Sequence, residues 1–254
     1  MRRLYNRKGV SLENLRWVEK DRFYLYKING TYFPNETLHA DMSQDWLLQK
    51  AKNESLHFYV PAKNDVVLDL GAGLGEETVL ISALVGHGGR VISIEANPQV
   101  YKALSEMVRL NKLDNVIACQ YAVGPTNGSV RIHSPQGSYE SGFVTGEAQN
   151  SFATESITLA SVMDKFHTER IDLLKSNIEG AERYVKDLPP DYFKKIRNVA
   201  IACHDFRLKN ESNEFFRTRE QVIRALEQNG FRISQRKTGV DYLDDWVYGS
   251  RNFA

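Results

Sequence analysis

Val66-Val67-Leu68-Asp69-Leu70-Gly71-Ala72-Gly73-Leu74-Gly75-Glu76-Glu77-Thr78 sets the reading of the whole chain. An apolar run with β-branched residues leads into three glycines at alternate positions, and a helical pattern follows. Glycine lets a backbone turn tightly and approach a ligand where a Cβ would collide. The first turn of the helix beyond offers unpaired N–H groups to an anionic group. Ligands of open α/β sheets bind beyond the carboxyl ends of strands, which is where this loop falls.

The ligand is narrowed by what the loop lacks. A nicotinamide fingerprint needs a third close-packing glycine at the position held by Glu76, and the Gly-Lys-Ser/Thr of a phosphate-binding P-loop is absent. Asp69 would repel a pyrophosphate but suits a cationic ligand. S-adenosylmethionine (SAM), with a sulfonium and an ammonium and no phosphate, meets these conditions. Downstream, Ile94-Glu95-Ala96-Asn97-Pro98 ends a second strand, where the Glu95 carboxylate can accept both ribose hydroxyls. Tyr121 and Ala122, at the end of a third strand, are the expected adenine neighbours. The expected donor-binding set is Asp69, Gly71, Gly73, Gly75, Glu76, Glu95, Ala96, Tyr121, Ala122 and Asn177.

Outward from the loop, strand and helix patterns alternate. Strands are expected at Val66–Leu70, Arg90–Glu95, Asn115–Tyr121, Ile171–Lys175, Ile196–Ala202, Phe231–Gln235 and Tyr242–Tyr248. Helices are expected at Glu76–Leu84, Pro98–Asn111, Leu159–Phe166, Ala181–Leu188 and Arg219–Asn229. Parallel strands need crossover connections, so the pattern predicts a doubly wound, mostly parallel α/β sheet. The last two strands are separated by little more than Lys237-Thr238-Gly239, so the final one must run antiparallel. Residues 1–60, rich in aromatics, read as an N-terminal extension with a hairpin near Phe23–Ile28 and a helix through Asp45–Lys52, serving as a substrate lid or dimer contact. Residues 61–254 form the donor-binding domain. The stretch 124–156 reads as a less regular insert, and Ser134–Asn150 within it as a substrate-side loop.

Composition supports this class. The 254 residues carry a net charge of +1, with 42% hydrophobic and 26% charged residues, as in an ordinary globular protein. A near-neutral balance, no basic tract and no Asn-Pro-Pro-Tyr-like element lead us to expect no nucleic-acid partner. No apolar run is long enough to span a bilayer. The basic start, Met1-Arg2-Arg3-Leu4, has no apolar stretch behind it and is not a signal peptide. With Cys119 and Cys203 in apolar runs, the expected compartment is the reducing cytoplasm.

Asp69-Leu70-Gly71-Ala72-Gly73-Leu74-Gly75 resembles the first motif of class I SAM-dependent methyltransferases. Asp172-Leu173-Leu174-Lys175-Ser176-Asn177-Ile178-Glu179-Gly180-Ala181-Glu182 resembles the FkbM-family signature D-L-L-K-I-D-x-E-G-A-E. Leu110-Asn111, Ala122-Val123-Gly124 and Cys203-His204-Asp205 are also similar to that family. The resemblance implies a seven-stranded Rossmann-like fold, SAM as cofactor, and methyl transfer to a hydroxyl of a small molecule such as a sugar or secondary metabolite. The chain departs from the signature at Asn177, where the family has an acid.

An alcohol nucleophile must lose its proton, so a base or a Lewis-acid metal is expected beside the donor. The strand-end rule gathers Asn177 and Glu179 with His204 and Asp205. In one arrangement His204 is the base, oriented by Asp205 or Glu179. In the other, Asn177, Glu179 and Asp205 hold Mg2+. A SAM-binding protein without catalysis, and a methyltransferase acting on protein or nucleic acid, are the alternatives to small-molecule O-methylation. His39, near the aromatic segment, reads as a surface residue.

Overall fold

A computed structural model describes residues 11–19, 22–133, 142–143, 151–211 and 213–252. Most of the expected Ser134–Asn150 loop lies outside them.

The described residues begin with an antiparallel meander of β1 (Leu12–Val18), β2 (Phe23–Ile28) and β3 (Thr31–Asn35). Asn29 and Gly30, both at positive φ, make the two-residue turn between β2 and β3. The expected hairpin is thus two arms of a three-stranded sheet. Helix α1 (Gln44–Asn53) follows, its start capped by Ser43, whose hydroxyl accepts the Trp46 N–H.

Next come β4 (Val66–Leu70), α2 (Glu76–Val85), β5 (Arg90–Glu95), α3 (Pro98–Leu110) and β6 (Val116–Gln120). Asn97 caps α3 by accepting the N–H groups of Gln99 and Val100, and Pro98 occupies the first turn where its missing N–H costs nothing. The stretch expected to be irregular builds a small sheet. It contains β7 (Ala122–Val123), β8 (Gly128–His133), β9 (Gly142–Phe143) and β10 (Ser151–Ile157), in the order β7-β10-β8-β9. The alternation Thr154, Ser156 inward against exposed neighbours is a strand signal, masked in the sequence by its polar content.

The chain continues through α4 (Leu159–Lys165), β11 (Ile171–Ser176), a 3-10 turn at Ala181–Asp187, α5 (Pro190–Phe193) and β12 (Ile196–Ala202). It ends with α6 (Asp205–Glu211), a second 3-10 turn at Glu214–Phe216, α7 (Arg219–Gln228), β13 (Arg232–Gln235), α8 (Asp241–Asp244) and β14 (Trp246–Ser250).

Seven strands form the main sheet in the order β13-β14-β12-β11-β4-β5-β6. The pairs from β12 through β6 are parallel, and β14 runs antiparallel to both β12 and β13. This is the Rossmann-like SAM-methyltransferase fold, with the last strand reversed as expected. That strand begins at Trp246 rather than Tyr242, because Asp241–Asp244 is taken up by α8. The chain winds outward on both sides of the β4–β11 pair, so the sheet's switch point lies at the carboxyl ends of these two strands.

Alternate residues of β4 feed opposite faces. Leu68 and Leu70 pack with Val162, Val222 and Leu226, while Val67 packs with Leu80, Ile81 and Val85 of α2. The meander docks on the outside of α2 and α3, where Phe23, Leu25, Tyr26 and Phe33 share a core with Val79, Val100, Ala103 and Met107. Asn111 fastens this contact. Its Oδ1 accepts the Tyr32 N–H at 2.7 Å and its Nδ2 donates to the Tyr32 carbonyl at 2.8 Å, imitating a neighbouring strand. Among the described residues no helix is long and apolar enough to cross a membrane.

Candidate functional site

The glycine loop is hung from β5. The N–H groups of Gly71 and Ala72 both donate to the Ile94 carbonyl, at 2.9 and 3.0 Å. Gly71 sits at φ +73, and a Cβ there would fall 1.9 Å from the Asn177 carbonyl oxygen, so this glycine allows β4 and the exit of β11 to touch. Gly75 starts α2 and lies against Leu104 of α3. Gly73 differs. It is at φ +58, and a Cβ there would meet nothing within 4 Å. The middle glycine therefore faces open space where a side chain would stand.

Glu95 anchors the loop from the end of β5. It is buried, with Oε2 accepting the Gly73 N–H at 3.0 Å and Oε1 the Asn97 N–H at 2.8 Å. Burial raises its carboxyl above the usual range, and the backbone donors of Asn97 and Gly73 oppose that rise. The Ala96 N–H is a third backbone donor to this carboxylate, whose two oxygens can accept about four hydrogen bonds in all. Ala96 is half-buried beside it. Tyr121 lies half-buried with the Lys165 ammonium 5.4 Å from its ring centre, and Ala122 is drawn into β7, paired with Ser156. The chemistry of these residues is compatible with SAM: open space at Gly73, a buried carboxylate at Glu95 and a half-buried tyrosine at Tyr121.

Asp69 sits elsewhere than the sequence reading supposed. It is fully buried, with Oδ1 2.9 Å from the Lys175 ammonium and Oδ2 accepting the Thr78 hydroxyl at 3.2 Å. Lys175 also donates to the Gly71 carbonyl at 3.0 Å. Burial works against the Lys175 charge, but Asp69 and Glu77 outweigh it and raise its pKa. Asp69 therefore braces the loop from beneath, and its charge is spent on Lys175 rather than on a cationic ligand. Lys175 stood in the quoted motif, and its register opposite Asp69 on the adjacent strand is the signal that was missed.

At the ends of β11 and β12 the expected quartet divides. Glu179, at φ +53, turns back toward His204, which lies with Nε2 3.3 Å from Glu179 Oε1 and Nδ1 3.0 Å from Glu182 Oε1. Burial disfavours the charged imidazole, but Glu182 and Glu179 prevail and push its pKa up to about 10. As an imidazolium it carries a proton on both nitrogens and has no lone pair for a substrate proton. Burial would raise the Glu179 carboxyl, but His204 and Arg207 hold it below the usual range, with Arg207 in direct contact. Glu182 is fully buried and accepts the N–H groups of Ile178 and Gly180, both at 2.8 Å.

Asp205 points away from this group. Its Oδ2 accepts the N–H groups of Thr218 and Arg219, both at 2.9 Å, and so caps the start of α7. Asn177 is exposed, its N–H bonded to the Leu70 carbonyl. The three proposed Mg2+ ligands therefore do not converge. Glu179 is already neutralised by two cations, and Asp205 is committed to backbone donors. These side chains do not fit a divalent ion. Among the described residues no group of three or more His, Cys, Asp or Glu is arranged to hold a metal.

Glu76 meets a residue from outside the expected set. Lys50 of α1 reaches it at 2.8 Å, and Asn35 of β3 approaches its other oxygen at 3.5 Å. Glu77, beside it, accepts the Ser55 hydroxyl. The N-terminal segment thus reaches the first turn of α2, a long-range contact that no local pattern announces. His39 lies tilted against Trp46, ring centres 4.7 Å apart, and bonds Thr37 in the same segment.

A family model described as the TRM5/TYW2 methyltransferase domain matches residues 40–127. The tRNA(Phe) (4-demethylwyosine(37)-C(7)) aminocarboxypropyltransferase of Methanocaldococcus jannaschii is 41% identical over 59 residues, 23% of this chain and 23% of that protein. The tRNA (guanine(37)-N(1))-methyltransferase of Giardia intestinalis is 26% identical over 111 residues, 44% of this chain and 23% of that protein. The chain thus spans under a quarter of the length of these curated relatives. A Klebsiella pneumoniae protein assigned provisionally as an O-methyltransferase shares the fold, with 12% identity, a TM-score of 0.51, and coverage of 87% of this chain and 84% of that one.

These matches correct two expectations. The FkbM resemblance gives way to similarity with the TRM5/TYW2 methyltransferase domain. The Glu179-Gly180-Ala181-Glu182 element that suggested FkbM is explained by its local job: Glu182 braces the turn out of β11, and a Cβ at Gly180 would collide with Phe215. The expectation of a small-molecule hydroxyl acceptor and no nucleic-acid partner is likewise overturned, because these relatives are named for tRNA. SAM remains the cofactor of the fold, and over residues 40–127 the chain is similar to the TRM5/TYW2 methyltransferase domain.

Proposed function

We propose that this chain is a SAM-dependent methyltransferase whose acceptor is a nucleic acid, with tRNA the favoured substrate. The observation that carries the donor half is the glycine loop at the sheet's switch point, with open space at Gly73 and the Gly73 N–H bonded to the buried Glu95 carboxylate. The acceptor half is supported by the tRNA-directed relatives. Bound SAM would supply a methyl on a sulfonium and its own leaving group. The protein's share is alignment: Gly73 gives room, Glu95 fixes the ribose, and Tyr121 lies at the adenine end. Asn177, exposed at the mouth, orients the acceptor through its amide. Residues 61–254 hold the donor, with the N-terminal segment at its flank.

A second reading, donor binding without transfer, is favoured by the pinned state of His204 and Glu179, which leaves neither as a base. Incubation with SAM carrying a tritiated methyl and unmodified tRNA or rRNA separates the two. Ribonuclease-sensitive label supports the first reading. Donor binding with no label in either RNA supports the second.

A further inference from the structure

SAM ends in an amino acid, whose carboxylate and ammonium sit on one carbon. The site needs groups that read both charges, and α1 with the first turn of α2 supplies an ion pair of matching polarity. Lys50 Nζ and Glu76 Oε1 are 2.8 Å apart, and their side chains are 39% and 21% exposed, so both remain open to a ligand. Their neighbours are already committed. Lys175 is buried against Asp69 and the Gly71 carbonyl, and Glu77 takes the Ser55 hydroxyl. A carboxylate brought to the helix start by its N–H groups would meet the negative Glu76 unless a cation stood beside it.

We infer that the Lys50–Glu76 ion pair reads the amino-acid end of the donor, with Lys50 on its carboxylate and Glu76 on its ammonium. The inference rests on the donor reading above and extends it. A residue of the N-terminal segment completes the donor site, so this segment is part of the binding machinery. The four charges alternate head to tail, which lets the zwitterion bind without displacing the ion pair. Charge-assisted contacts of this kind are worth about tenfold or more in affinity.

Calorimetry on the full chain tests this with two ligands. S-adenosylhomocysteine has the amino-acid end, and 5'-methylthioadenosine lacks it but keeps the nucleoside and sulfur. Lys50→Met is expected to weaken S-adenosylhomocysteine about tenfold and to leave methylthioadenosine unchanged, which also certifies the fold. Lys50→Arg is expected to restore most of the loss. Unchanged S-adenosylhomocysteine affinity in Lys50→Met would overturn the inference, as would an equal loss for both ligands. If the wild-type chain binds neither, the donor reading itself fails and this inference falls with it.

Discussion

Lys175 and Asp69 face each other across adjacent strands β11 and β4, their charged atoms 2.9 Å apart, both enclosed beneath the glycine loop. The pair ties the two strands whose ends form the switch point. Lys175 also reaches the Gly71 carbonyl, so the pair holds the loop's first residue in place. Removing one member strands a buried charge.

Lys175→Met is therefore expected to lower stability by about 3–5 kcal/mol, while the double variant Asp69→Asn/Lys175→Met recovers part of that loss. Urea unfolding of the four proteins in the cycle checks this. Equal losses in the single and double variants would remove the pairing from the account.

The glycines of the loop separate packing from binding. Gly71→Ala pushes a Cβ into the Asn177 carbonyl and strains a positive φ, so it should destabilise the fold by more than the roughly 1–3 kcal/mol of backbone strain alone. Gly73→Ala has open space and should cost only about 1–2 kcal/mol of conformational strain. On the proposed function, its larger effect should be on SAM binding, because the added methyl fills open space assigned there to the donor. Thermal melts with and without SAM distinguish the two substitutions.

His204 gives stability a pH dependence. A histidine whose folded pKa lies near 10 contributes fully below its unfolded value of about 6.5. The contribution is lost as pH rises through the folded value. Wild-type stability should decline between these limits, and the decline should be shallower in His204→Gln. Urea midpoints measured across that range check the sign, and parallel curves would refute the pinned imidazolium.

Much of this architecture was legible because it is written in local chemistry. Alternating strand and helix periods located the central elements, and Asn97-Pro98 marked the start of α3 through a cap and a fixed φ. The small sheet around β8 and β10 does not show in the sequence because its long strands are polar, with only Thr154, Ser156 and Ile157 of β10 turned to the interior. The site was less legible for a different reason. Asp69 and Asp205 are carboxylates at strand ends, where ligand contacts are expected, yet one is neutralised by Lys175 and the other caps a helix fourteen residues away. Burial and partners decide what a carboxylate does, and neither is local in sequence.

Asn111 offers a test of how the N-terminal sheet is attached. Asn111→Ala removes both bonds to Tyr32 and should cost about 1–3 kcal/mol. Amide exchange at Tyr32 should accelerate while exchange in β4 and β11 stays slow. Unchanged exchange at Tyr32 would place the attachment in the apolar contact alone.

The most direct measurement for the account as a whole is calorimetric titration of SAM into the wild-type chain and into Gly73→Val. Saturable binding by the wild type and its loss in a still-folded variant is the predicted result. Equal heats in both, or no saturable heat in the wild type at millimolar SAM, would contradict it.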